Sequence, residues 1–129
     1  MEDLIFKILR TDEWRARQSA GRFVGSADDL RDGYMHFSAL PQVRETVRKY
    51  FAGEQRIVLA AVPGDALAAG LRWEASRGDQ LFPHLYGRPL LLSDIAASTE
   101  ADPAAVVAMT DADLAALFPR QPTGTDRPL

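Results

Sequence analysis

Ile57-Val58-Leu59-Ala60-Ala61-Val62 decides the fold: six consecutive apolar residues, bounded by Arg56 on one side and by Pro63-Gly64-Asp65 on the other. A run this short, rich in strand-forming side chains and without polar alternation, predicts a strand buried on both faces at the middle of a sheet. Leu4 to Leu9, apolar apart from Lys7, predicts a first strand.

Working outward, Thr11 or Asp12 is placed to cap a helix that carries Trp14 and ends near Gly21. Gly25 to Gly33 reads as turns, with Ser26 or Asp28 as a local cap. Tyr34 to Ser38 follows as a short strand. Leu40, Val43, Val47 and Phe51 then recur at helical spacing opposite Arg44, Glu45, Arg48 and Lys49, an amphipathic helix that stops at Gly53. Asp65 to Ala69 suggests one helical turn, Leu71 to Glu74 another strand, and Leu90 to Leu92 with Ile95 to Ser98 edge strands. Thr110 is a candidate N-cap for a final helix through Phe118.

The interleaving of strands with clear helices predicts an α+β domain over residues 1–118, followed by a disordered tail at 119–129. The 129 residues suit one core. A hydrophobic fraction of 47% with 26% charged residues is the balance of a globular chain. A net charge of −3 argues against general nucleic-acid binding, and the lack of cysteine removes disulfides, thiolate metal sites and a thiol nucleophile. The acidic start Met1-Glu2-Asp3 has neither the basic opening nor the apolar stretch of a secretory signal, and no segment approaches the ~20 apolar residues of a membrane helix. A cytoplasmic protein is expected, without a membrane partner. No Gly-rich phosphate loop follows the first strand, which argues against a doubly wound nucleotide fold.

Strand alternation places Tyr34, His36 and Ser38 on one face and Met35 with Phe37 on the other, toward the core. A phenol, an imidazole and a hydroxyl in a row suit a ribose or a phosphate, or else simply face water. Ser38 alternatively caps the next helix. Phe82-Pro83-His84-Leu85-Tyr86-Gly87 reads as an ordered loop, in which His84 either serves a site or pins its own backbone, and Tyr86 either contacts a ligand or rests half-buried. In Leu71-Arg72-Trp73-Glu74 the carboxylate shares a face with Arg72, so Glu74 is either that residue's ion-pair partner or a catalytic group. Lys7 lies on the face of Ile5 and Leu9, its stem covered and its ammonium reaching a rim or a cleft. His36, His84 and Glu74 are the residue types of a metal site, but their spacing matches no compact motif, so no metal is expected.

Ile5-Phe6-Lys7-Ile8, Trp14, Asp32-Gly33-Tyr34-Met35-His36-Phe37-Ser38, Trp73-Glu74 and Phe82-Pro83-His84-Leu85-Tyr86-Gly87, in this order over residues 4–95, resemble the bacterial domain-of-unknown-function family 952. The resemblance implies an ADP-ribosyltransferase-like fold: a split sheet with flanking helices, gripping a nucleotide between its halves. It implies NAD as a substrate, Glu74 and His36 as the catalytic pair, and Lys7, Tyr34, Ser38, His84 and Tyr86 as nucleotide contacts. A non-catalytic binding or regulatory module for a phosphorylated small molecule is the alternative, and protein partners are unknown.

Overall fold

The structure, a computed structural model, describes residues 4–118; the tail expected at 119–129 lies outside the described residues. In chain order the elements are β1 (Leu4–Arg10), α1 (Thr11–Ala20), β2 (Arg22–Phe23), α2 (Ala27–Asp32), β3 (Met35–His36), β4 (Ser38–Ala39) and α3 (Leu40–Tyr50). They continue with β5 (Ile57–Pro63), β6 (Leu71–Ala75), β7 (Leu81–Leu85), β8 (Leu90–Leu91), β9 (Ala97–Ala101), α4 (Pro103–Ala108) and α5 (Asp111–Ala116). Among the described residues no helix is long and apolar enough to cross a membrane.

β5 is central in a four-stranded sheet of order β4-β1-β5-β9, antiparallel throughout. Its apolar run faces two cores at once. Val58, Ala60 and Val62 join Ile5 and Leu9 of β1 against Met35, Phe37 and Leu85. Ile57, Leu59 and Ala61 join Phe6 and Ile8 against Val43 and Val47 of α3, Val106 of α4 and Leu114 of α5. The absence of polar alternation in β5 follows from these two covered faces.

A second sheet, β3-β7-β6, is also antiparallel, and β2 pairs with β8. The segment Met35–Ala39 belongs to both large sheets: His36 lies opposite His84 of β7, whereas Ser38 lies opposite Phe6 of β1. The two sheets share this stretch of chain and diverge from it, which opens a cleft along β1.

Three local expectations are corrected. Residues 27–32 form α2 rather than turns, because Ser26 Oγ accepts from the Asp29 N–H and Asp29 Oδ2 accepts from the Ser26 N–H, a reciprocal cap. Phe82-Pro83-His84-Leu85 lies in strand β7 rather than a loop. Ser38 does not cap α3; the N-cap is Ala39, whose N–H donates to the Gln42 side chain at 2.9 Å.

Candidate functional site

Lys7 points from β1 toward the shared segment, and the residue is buried, 4% exposed, rather than held out at a rim. Nζ donates to Asp29 Oδ2 at 2.8 Å and to the His36 carbonyl at 2.8 Å. Asp29 is the centre of this corner. Its other oxygen lies 2.6 Å from His36 Nδ1 and accepts from the His36 N–H at 3.1 Å. Burial is the largest single influence on the Asp29 carboxyl and acts against ionisation. The hydrogen bond from His36, the charge and hydrogen bond of Lys7 and the Ser26 N–H together outweigh it, so the group sits well below the usual carboxylate range. Burial pushes the Lys7 ammonium below the ordinary lysine value, and Asp29 opposes that shift.

His36 is bracketed. Its Nδ1 meets Asp29, and its Nε2 lies 3.0 Å from Asp32 Oδ2, so both nitrogens donate only as the imidazolium. Asp32 is held below its ordinary value chiefly by a hydrogen bond from Arg31, with His36 adding to it.

His84 is held differently. Its Nδ1 lies 2.8 Å from Glu74 Oε1, the same oxygen that accepts from the Tyr86 hydroxyl at 2.6 Å. Those bonds, Tyr86 first and His84 second, keep Glu74 below its ordinary value, and the Tyr86 hydroxyl is correspondingly raised. Arg72 does not complete an ion pair with Glu74; its guanidinium lies over the Tyr86 ring, 5.2 Å from the centroid. Tyr34 stacks on His84 with centroids 4.1 Å apart, and the two imidazole centroids are 5.6 Å apart.

These groups line a cleft of about 230 Å³ where the sheets diverge: Lys7, Asp29, Tyr34, His36, Ser38 and His84 face it, with Tyr50 and Phe51 of the α3 end opposite. Ser38 Oγ reaches Thr46 Oγ1 at 3.1 Å. Glu74 and Tyr86 are not among the lining residues and stand behind His84. Of the expected site residues, Lys7, Tyr34, His36, Ser38 and His84 therefore share one cavity, and Glu74 with Tyr86 supports it from outside.

Asp29 was missing from the expected set. The signal that finds it is Ser26-Ala27-Asp28-Asp29, the spacing of a capping box, which places Asp29 on the first turn of a helix. Its bonds to Lys7 and His36 come from residues distant in sequence.

The family model described as protein of unknown function (DUF952) matches residues 8–98. Among solved structures, the crystal structure of CC0527 from Caulobacter crescentus is similar at 50% identity, with 77% of this chain and 86% of that chain covered and a TM-score of 0.74. The solution structure of the same protein gives 50% identity over 77% and 84%, with a TM-score of 0.69. No curated protein matches the chain. The match takes in most of the chain, Tyr34, His36, Ser38 and His84 of the cleft included, and the chain belongs to the DUF952 family.

Proposed function

We propose that the cleft binds the ribosyl end of a nucleotide, NAD or a relative such as ADP-ribose, as an ADP-ribosyltransferase-like split sheet would. The observation that carries this reading is the convergence of Tyr34, His36, Ser38 and His84 on one cavity at the divergence of two sheets. The Tyr34 phenol, the Ser38 hydroxyl and the His84 imidazole supply donors and acceptors that match the hydroxyls of a sugar. The cavity, about 230 Å³, is below the roughly 300–1,000 Å³ of sites that enclose a drug-sized ligand. It is sized for a sugar and its immediate substituents.

A second reading, transfer of the ADP-ribosyl group, is favoured by the engagement of His84 Nδ1 with Glu74, which leaves Nε2 for the cleft. The C1′–N bond of NAD would break with nicotinamide leaving, while an acceptor oxygen bonds to C1′ and yields its proton to His84. Glu74 then acts through His84 as a positioning residue.

Melting of the protein with NAD, ADP-ribose, nicotinamide mononucleotide and nicotinamide tests both. A ligand at ~100 times its dissociation constant stabilises by about 2.7 kcal/mol. A rise with nucleotides but not with free nicotinamide, lost in Tyr34→Ala, is expected; no rise with any of them rejects the reading. Nicotinamide release that falls in Glu74→Gln while binding persists supports transfer, and the absence of release leaves binding alone.

A further inference from the structure

α2 and Tyr34 form a wall with space on both sides. Asp29 and Tyr34 line the first cleft and also a second groove of about 410 Å³. Arg22 and Val24 from β2 and its exit, Leu30 from α2, and Arg88 with Pro89 beyond β7 bound this groove. Val24 and Leu30 are 59% and 65% exposed, two large apolar side chains that the fold leaves open to solvent on the same groove.

The charges there are unequal. Arg88 is engaged by Asp94 and by the Ala66 carbonyl, and Asp29 is neutralised by Lys7. Arg22 has no hydrogen bond or ion pair through its side chain among the described residues. The uncompensated charge of the groove is therefore a guanidinium, the group that best matches the paired oxygens of a phosphate.

We propose that this groove takes the phosphate-and-base half of a dinucleotide whose ribosyl end occupies the first cleft, an assignment that rests on the reading above. Arg22 holds the phosphate, and the flat base lies between Val24 and Leu30, covering apolar surface that is otherwise wet. The sizes agree. The first cleft is too small to enclose a whole dinucleotide, whereas the two spaces together fall within the range of sites that enclose such ligands. Tyr34, common to both, is the ridge the ligand crosses.

Titration calorimetry with NAD and with nicotinamide mononucleotide, which lacks the second half, separates the two readings. NAD is expected to bind about tenfold or more tightly than the mononucleotide, the worth of one charge-assisted contact. Arg22→Glu and Leu30→Glu, both at exposed positions, are expected to remove that advantage and leave mononucleotide affinity unchanged. If the mononucleotide binds and NAD binds no better, or if both variants retain the NAD advantage, the second groove is overturned and the first cleft stands. If neither ligand binds, both assignments fall.

Discussion

Asp29→Asn removes one negative charge and almost no volume from the most densely bonded corner of the protein. The Lys7 ammonium, buried and 2.8 Å from the carboxylate, loses its counter-charge, and His36 loses the charged acceptor 2.6 Å from Nδ1. Breaking a buried pair by neutralising one partner costs about 3–5 kcal/mol, because the remaining charge stays desolvated. Each kcal/mol moves the melting midpoint of a domain this size by about 2–8 °C, so a fall of at least ~6 °C is expected. Lys7→Met/Asp29→Asn, which removes both charges, is expected to recover part of the loss, with a coupling energy of about 1–3 kcal/mol. The effect has a pH signature. The folded-state carboxyl titrates below its unfolded counterpart, so its stabilisation is complete above the unfolded value near ~3.9 and is lost as pH falls through the folded one. The gap between wild type and Asp29→Asn should therefore narrow in strong acid. Thermal or urea melts across that range measure it. A loss below about 1 kcal/mol, or a double variant equal to the sum of the singles, refutes the view that the pair is desolvated and coupled.

Two further perturbations probe the frame around the site. Arg17 is 3% exposed, its guanidinium 3.6 Å above the Trp14 ring, with Nε and Nη1 lacking hydrogen-bond partners among the described residues; Arg17→Met should hold or raise stability, by up to about 1–3 kcal/mol, and a clear fall in the melting midpoint would mean that the stacked charge is satisfied after all. A Cβ on Gly70 would stand 2.4 Å from the Tyr86 carbonyl oxygen, so Gly70→Ala must move the chain that carries Tyr86 and should cost about 1–3 kcal/mol. Displaced Tyr86 and His84 side-chain resonances would accompany that cost, and a spectrum and melting point identical to wild type would contradict the close approach.

The frame was readable because burial on a sheet face leaves a repeating mark. Ile57–Val62 announces β5 by its lack of polar residues, and Val43 and Val47 fix the buried face of α3 by spacing alone. Tyr34, His36 and Ser38 reach the cleft by the same alternation, although the chain between them is split over β3 and β4, and Met35 and Phe37 join the core. α2 leaves no such mark. Its one large apolar residue, Leu30, is 65% exposed, so no buried periodicity identifies the helix. It is held by the Ser26 cap and by Asp29, whose partners lie 22 residues before and 7 residues after it. A buried charge cluster of this kind depends on where the chain returns, and that is decided by the sheets. Glu74 illustrates the same limit: parity correctly set it beside Arg72, but its choice of His84 and Tyr86 as partners depends on the β6–β7 register.

Pro83 explains both the cleft and the misreading of the strand that makes it. β7 is the middle strand of its sheet, where proline is ordinarily avoided because it has no N–H to give to the ladder. With His36 opposite His84, Phe37 falls opposite Pro83, and the Phe37 N–H donates to the Pro83 carbonyl at 3.0 Å. The return bond, from residue 83 to the Phe37 carbonyl, has no donor. Pairing with β7 therefore ends at this residue, and the next two, Ser38 and Ala39, pair with Phe6 and Ile5 of β1 instead. One missing amide proton marks the point at which the shared segment passes from one sheet to the other. His36 and Ser38, on either side of that point, face the space between the sheets. The proline that makes Phe82 to Gly87 look like a loop thus stands where the fold requires the ladder to stop.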